Sequence, residues 1–316
     1  MNKTKIDWCD SSWNPVTGCL HGCEYCYARK IAERFGLSFM PSMSEIIGCK
    51  YDSPMGQDTM LELRVPFTVN RRIQPYPAAF LPTFHRYRLG EPALKTKAQN
   101  IFVCSMADLF GEWVPDEWIE DVFAACEAAP QHRYLFLTKN PAGIEKSIDN
   151  IACEERGCAE EIIFYKNFWF GTTITCDEDV SRVEQISALE EGHRFLSVEP
   201  LLGPIQLSFD KERCPVCGSS AVYFENPRTS TEMPWYCDSC GEWESKDGSE
   251  LKSNIEWVII GAETGNRKGK VTPKREWIDN IVAKCKEVNI PVFMKSSLHD
   301  IMNDDFIQEY PWKATT

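Results

Sequence analysis

No stretch of this 316-residue chain approaches the roughly 18 consecutive apolar residues that a membrane-spanning helix requires. The opening segment, MNKTKIDWCDSS, lacks the apolar core of a secretory signal. A cytoplasmic location is therefore expected, with no membrane partner. Positive charge is also scarce. A formal net charge of −13 argues against a protein that coats nucleic acid non-specifically. No internal repeat is visible. What the chain does have is enough apolar material for a substantial core, with 43% hydrophobic and 12% aromatic residues, which excludes disorder. Its length suits one large domain or two ordinary ones.

Cysteine is the residue in excess. In a reducing compartment, 15 cysteines do not read as a disulfide framework, and clustered ones point to metal. Eight are scattered: Cys9, Cys49, Cys104, Cys126, Cys153, Cys158, Cys176 and Cys285. Most of these read as small buried hydrophobes. Cys153 and Cys158 are close enough in sequence to share a metal, but the acidic CEERGC segment offers no second pair. The other seven fall into two spaced sets.

Short apolar runs rich in β-branched and aromatic residues recur along the chain, most followed by a helical pattern. Strands are expected at 100–104, 134–138, 168–173, 194–198, 257–260 and 291–294, and helices at 23–35, 116–128, 141–149, 177–189 and 274–286. Strands buried on both faces and alternating with helices indicate a parallel sheet with right-handed crossovers. The fold class expected is α/β, a full or partial (β/α) barrel. Most expected strands end in polar residues, such as Ser105 to Asp108, Lys139, Thr173, Ser197 to Glu199, and Glu263. These would converge on one mouth of a barrel. The pattern breaks between about Leu207 and Asn254, giving an expected organisation of 1–206 plus 254–316 as the barrel and 207–253 as an inserted metal-ribbon domain.

The first cysteine set, Cys19, Cys23 and Cys26, has C-x3-C-x2-C spacing within one short segment. Three thiolates so spaced can wrap three corners of a cubane iron–sulfur cluster and leave one iron open. Zinc with Cys9 or His21 as fourth ligand, or a closed cluster with a distant cysteine, are the competing readings. The second set, Cys214, Cys217, Cys237 and Cys240, has C-x2-C-x19-C-x2-C spacing, as in zinc ribbons and rubredoxins. Zinc is the default there, with iron the alternative. Such a site staples a segment too short and polar for its own core, while Tyr223, Phe224, Trp235, Tyr236 and Trp243 offer a recognition surface.

CLHGCEYC, with an aromatic before its last cysteine, resembles the signature of the radical S-adenosylmethionine (radical-SAM) superfamily. TKIDWCDSSWNPVTGC, FVCSMADLFGEWVP, LTKNP, FLSVEPLLGPI and WVIIGAETG together resemble a largely uncharacterised, often phage-encoded radical-SAM-like family. SMADLF and LTKN are also similar to the radical-SAM relatives that include spore photoproduct lyase. The resemblance implies a radical-SAM type of barrel and a 4Fe-4S cluster on Cys19, Cys23 and Cys26. It also implies S-adenosyl-L-methionine (SAM) chelated at the open iron and cleaved to a 5′-deoxyadenosyl radical on one-electron reduction. An electron donor such as flavodoxin or ferredoxin is the implied partner. The insertion at 207–253 is not carried by every member of that family.

Within this frame Asp108, with Ser105 beside it, is the candidate for the SAM amino group, set against a helix-cap role. Lys139 is a candidate for the SAM carboxylate or a substrate phosphate, set against an ordinary surface lysine. Thr173, Ser197, Glu199 and Glu263 complete the expected cofactor-binding residues; the two glutamates could instead neutralise Lys139 and Lys295. Residues 64–97 hold seven Lys/Arg against Glu91 alone, and 266–275 hold five against none. Arg71, Arg72, Arg86 and Arg88, with Phe67, Tyr76, Phe84 and Tyr87, combine charge with stacking surface, so a nucleotide or nucleic acid is a candidate substrate. A solvated loop is the plainer account. The function expected is an enzyme that modifies or repairs a substrate by radical chemistry. The alternative is a non-catalytic iron–sulfur and zinc module that binds nucleic acid, or a redox sensor.

Overall fold

In the computed structural model of the chain, the residues described are 1–36, 60–155, 166–189, 191–209, 222–224, 235–237 and 254–313. In chain order the strands and helices are β1 (Asn2–Lys3), β2 (Ser11–Trp13), β3 (Val16–Thr17), α1 (Tyr27–Phe35), β4 (Leu61–Leu63), β5 (Thr68–Val69), β6 (Arg72–Ile73) and β7 (Thr83–His85). There follow β8 (Asn100–Val103), α2 (Asp116–Glu127), β9 (Arg133–Thr138), α3 (Pro141–Glu155), β10 (Phe168–Thr173), α4 (Ser181–Ser187) and β11 (His193–Val198). The last are β12 (Val222–Phe224), β13 (Trp235–Cys237), β14 (Trp257–Ile260), α5 (Arg275–Glu287), β15 (Val292–Met294) and α6 (His299–Met302). The alternation of parallel strands with helices is that of a mixed α/β fold consistent with a partial β/α barrel.

The chain divides into two compact units, Met1–Thr173 with Thr264–Lys270, and Ile174–Glu263 with Val271–Thr316. In the first unit five strands lie in the order β1-β2-β8-β9-β10. Only the β1–β2 pair is antiparallel; β2, β8, β9 and β10 run parallel. Ile101, Phe102 and Val103 of β8, and every residue of β10, are buried, as expected of strands covered on both faces. Helix α2 starts after Pro115, carries Asp116 and Glu117 in its first turn, and buries Trp118, Ile119, Val122, Phe123 and Cys126 along one face. Phe123 meets Phe168 at 5.4 Å between ring centroids, and Phe136 stacks on Phe170 at the same separation. These rings form the centre of the unit's core.

A smaller sheet of order β3-β7-β4 accompanies it. Strands β5 and β6 form a hairpin through Asn70 and Arg71, both with positive φ (50° and 63°), the backbone of a two-residue primed turn. In the second unit β11, β14 and β15 run parallel. Trp257 is their packing centre, 5.9 Å from Phe195 and 6.0 Å from Phe293.

All six strands expected from the sequence are present, with ends shifted by a residue or so. Strand β2 was not among them, because Asp10-Ser11-Ser12 is polar and only Trp13 is a large apolar residue. Its place is fixed by partners far along the chain: Cys104 N–H donates to the Trp13 carbonyl and Asp10 N–H to that of Asn100. The helix expected over 177–189 is divided. A single 3-10 turn at Asp177–Asp179 precedes α4, and Asp179 Oδ2 accepts from both the backbone N–H and the hydroxyl of Thr175. Of the expected inserted ribbon, β12 and β13 form an antiparallel pair with Val222 opposite Cys237. Cys214, Cys217 and Cys240 lie outside the described residues, as does Cys158. Among the described residues, no helix is long and apolar enough to cross a membrane.

Candidate metal centre

The three clustered cysteines sit on one loop of the first unit, between β3 and α1. The loop is attached at its base. Gly18 N–H donates to the Met106 carbonyl at 2.9 Å, and Cys19 N–H to the Phe80 carbonyl at 3.1 Å. Gly18 has φ +88°, and a Cβ on it would lie 2.1 Å from the Leu81 carbonyl oxygen, so only glycine fits. At the far end Cys26 is the N-cap of α1, its Sγ accepting from Arg29 N–H at 3.3 Å. All three cysteines are free and half-buried. They share one electrostatic neighbourhood. Burial pushes the Cys19 thiol up to about 12, a backbone hydrogen bond from His21 pulls it down, and Asp108, Cys26 and Cys23 push it up further.

Asp108 holds the middle of this loop. Its carboxylate is buried, and it accepts from Thr138 Oγ1 (2.6 Å) and Phe110 N–H (3.2 Å) on one oxygen. The other oxygen accepts from Lys139 N–H (2.9 Å) and lies 2.7 Å from His21 Nε2. Burial alone would raise the Asp108 pKa, yet the hydrogen bonds from His21, Lys139 and Thr138 outweigh it and hold the carboxyl below its ordinary value. Both oxygens are thus taken by donors of the chain itself. Asp108 stands in the structure as a support for the cysteine loop, and its geometry does not favour the ligand ammonium expected from the sequence.

Ser105 is similarly tied in, its hydroxyl 3.2 Å from Asn14 Oδ1, which also accepts from Met106 N–H. The Ser105 carbonyl accepts from Tyr27 OH at 2.7 Å. The preceding residue, Cys104, has φ 57°, an uncommon conformation for a residue with a side chain. Lys139 is half-buried, and its ammonium lies 5.1 Å from the centre of the Tyr25 ring, inside the cysteine loop. Burial works against its charge, but Tyr25, Cys23 and Asp108 raise its pKa above the ordinary value. It is therefore a cation seated against Tyr25 of the cysteine loop. Thr173 ends β10 and is buried.

The remaining expected residues belong to the second unit and are described there. Ser197 is buried within β11, and its carbonyl accepts from Ile174 N–H at 3.0 Å. Glu199 forms an ion pair with Lys295. Gly261 makes room for that pair, since a Cβ would lie 3.0 Å from Lys295 Cδ and 3.1 Å from Glu199 Cδ. The pairing is the neutralising role considered from the sequence. Glu263 is buried and accepts from Val271 N–H at 3.3 Å.

Several residues of the basic segments are engaged within the protein. Arg86 is engaged by Glu62 at 2.5 Å and by Asp121, and Arg88 donates to the Asn14 carbonyl at 2.9 Å. Phe84 is fully buried against Trp118, at 5.1 Å between rings. Arg71 and Arg72 alone of the four arginines are exposed, at the β5–β6 hairpin. Arg267 reaches Glu24 at 3.6 Å, and Arg275 pairs with Asp279 and Asp305.

Sequence reasoning did not find Asn14 or Trp113, and it had Thr138 only as one of the polar strand-end residues. Trp113 packs edge-on against His21 at 4.9 Å, and its indole N–H is buried without an acceptor. Arg29 Nε is likewise buried without a partner, while its guanidinium reaches the Cys19 carbonyl at 3.5 Å. Both residues thus touch the cysteine loop while keeping a buried donor without an acceptor. Among the described residues, no group of three His, Cys, Asp or Glu side chains is arranged to hold a single metal ion.

Fold and site together describe a mixed α/β protein, consistent with a partial β/α barrel, whose first unit carries a cysteine-bearing loop. Residues 3–300 match the family described as "Protein of unknown function (DUF5131)", and the chain belongs to that family. No curated protein matches the chain, and no solved structure matches it.

Proposed function

We propose that the chain is a radical-SAM enzyme whose 4Fe-4S cluster is held by Cys19, Cys23 and Cys26. One observation supports this most: three free thiols at C-x3-C-x2-C spacing on one short loop with glycines of positive φ, tied at its base to the Met106 and Phe80 carbonyls. Thiolates on a cubane each bind a different iron, so they need not converge on one point as ligands of a single ion do. When bound, the cluster would chelate S-adenosyl-L-methionine at its open iron and, on reduction, release the 5′-deoxyadenosyl radical for hydrogen abstraction.

The chain's own residues have defined tasks in this reading. Asp108 and His21 hold the loop, Arg29 reaches the Cys19 carbonyl, and Trp113 packs against His21. Lys139 is the cation for a ligand carboxylate or phosphate: Asp108 meets it through the backbone N–H, and its ammonium lies by the Tyr25 ring. Burial of the Cys19 thiol opposes its ionisation, so cluster binding must supply the drive to release that proton. A flavodoxin or ferredoxin would deliver the electron. The second cysteine set would hold zinc, with iron as the alternative, as a structural staple. The substrate to be modified or repaired is a nucleotide or nucleic acid in this reading, with Arg71 and Arg72 as its exposed cations.

Anaerobic reconstitution, reduction with dithionite in the presence of SAM, and mass spectrometry of the products test the proposal. The expected products are 5′-deoxyadenosine and methionine. Intact SAM from a cluster-loaded, reduced protein would contradict it.

A further inference from the structure

Helix α1 has two unlike faces. Ala28 and Ala32 are buried against Phe80 and Met106, and Cys19 and Cys26 pack onto the same cluster. Cys26 is also the N-cap, so the cysteine loop runs directly into the helix. Tyr27, Ile31 and Phe35 recur every four residues on a second stripe, which makes them neighbours along the helix surface. These three side chains are between 36% and 56% exposed. Leu20 of the cysteine loop is exposed too, and these four are most of the seven large apolar side chains exposed among the described residues. A single exposed apolar residue is ordinary, whereas four between residues 20 and 35 mark a surface that something covers.

Charge on α1 narrows what that is. The helix carries Arg29, Lys30 and Arg34 against Glu33 alone, in a chain of net charge −13. Arg29 is turned inward, its guanidinium 5.2 Å from the centre of the Phe80 ring. Lys30 and Arg34 are exposed beside the apolar stripe, and the Arg34 guanidinium lies 5.2 Å from the Phe35 ring. The face is thus apolar with a positive edge. It is also small: one helix of nine residues and Leu20 fall well short of the roughly 800 Å² per partner of a stable interface. Small contacts steered by complementary charge are typical of transient redox encounters.

We propose that this outer face of α1 is the docking surface for an acidic one-electron carrier protein that reduces the cluster on Cys19, Cys23 and Cys26. The inference rests on the cluster reading above. Electron transfer requires closeness alone, and the helix that presents the face is the one capped by Cys26 and packed on Cys19. The carrier is oxidised by one electron and the cluster is reduced by one, with no bond made or broken. A nucleic acid would engage Lys30 and Arg34 but leave Ile31 and Phe35 uncovered, whereas an acidic protein with an apolar centre to its contact covers both.

Two double variants separate charge from apolar contact: Lys30→Glu with Arg34→Glu, and Ile31→Gln with Phe35→Gln. Stopped-flow reduction of the anaerobically reconstituted proteins is followed by cluster absorbance with reduced flavodoxin, reduced ferredoxin or dithionite. With the carrier that reduces wild type, the charge variant should be slowed roughly tenfold or more at low ionic strength and should lose salt dependence. The Gln variant should also be slowed. Dithionite needs no docking face and should reduce all three proteins at one rate. An unchanged carrier rate in either variant, or a wild type reduced by dithionite but by neither carrier, would overturn the inference and leave the cluster reading standing. A wild-type chain that takes up no cluster would overturn the cluster reading. Binding of oxidised flavodoxin and ferredoxin to the apo chain then tests the face, and no binding, or equal affinity for wild type and charge variant, would overturn the inference as well. A lowered urea midpoint in the Gln variant would show that the chain itself covers the face, and a wild-type dimer lost in that variant would assign it to a second copy. Either result would overturn the inference.

Discussion

Gly18 and Gly22 both adopt the left-handed backbone region, but they differ in their surroundings. A Cβ at Gly18 would meet the Leu81 carbonyl, whereas one at Gly22 would meet nothing within 4 Å. Gly18→Ala should therefore lose about 2–4 kcal/mol from combined strain and displacement of Leu81, and Gly22→Ala only about 1 kcal/mol. Urea unfolding of the two variants checks this, and equal losses would contradict the tight approach at Gly18. Asp108 gives a second test at this scale. Its folded pKa lies below that of an unfolded aspartate, about 3.9. Its stabilisation is thus fully present above the unfolded pKa and is lost as the pH falls through the folded one. Asp108→Asn should lower stability at neutral pH by about 1–3 kcal/mol and flatten the loss of stability between about pH 5 and pH 2. Parallel pH profiles for wild type and variant would refute that. The residue itself was legible as a polar group at a strand end. Its partners were not, because His21 lies 87 positions away and Thr138 lies 30. A carboxylate that reads as a ligand contact in sequence can be saturated by donors that only the fold brings near.

At the scale of elements, legibility followed burial. Strands β8, β9, β10, β11, β14 and β15 are nearly continuous apolar runs because parallel strands are covered on both faces. The short strands β2, β3, β4 and β7 carry no such run and depend on long-range pairing, whereas β5 and β6 pair with each other across their turn. Helix α1 was expected from residue 23, but the segment up to Cys26 is the cysteine loop, and the helix begins only at Tyr27 with Cys26 as its cap. The same level separates the arginines that looked alike in sequence. Arg86 opens the 3-10 turn Arg86–Arg88 after β7 and pairs with Glu62 of β4 and Asp121 of α2, whereas Arg71 and Arg72 occupy the β5–β6 hairpin in solvent. Arg86→Gln should cost about 1–3 kcal/mol, since it leaves the mostly buried Glu62 short of its partner. Arg71→Gln with Arg72→Gln should stay within about 0.5 kcal/mol of wild type. If the hairpin contacts phosphates, the same double variant should also reduce the salt dependence of binding to a single-stranded oligonucleotide. A change in stability as large as that of Arg86→Gln would show that the hairpin arginines are structural instead.

For the molecule as a whole, the acidic balance of −13 is relieved only locally, and much of the basic segment 266–275 is spent on nearby carboxylates. The overall α/β character was legible from the strand–helix alternation, and the cysteine loop from its spacing. What was not legible is how the loop is braced: by the Met106 and Phe80 carbonyls, by Asp108, and by the capping of α1. That bracing fixes the loop that carries the three cysteines, and the cluster they are proposed to hold is the account's central claim. The direct measurement is iron and acid-labile sulfide per chain after anaerobic reconstitution, for wild type and for a variant with Cys19, Cys23 and Cys26 all changed to Ala. The account predicts about four irons and four sulfides in wild type beyond any metal of the second cysteine set, and none of that sulfide in the variant. Retention of labile sulfide by the triple variant, or its absence from wild type, would contradict it.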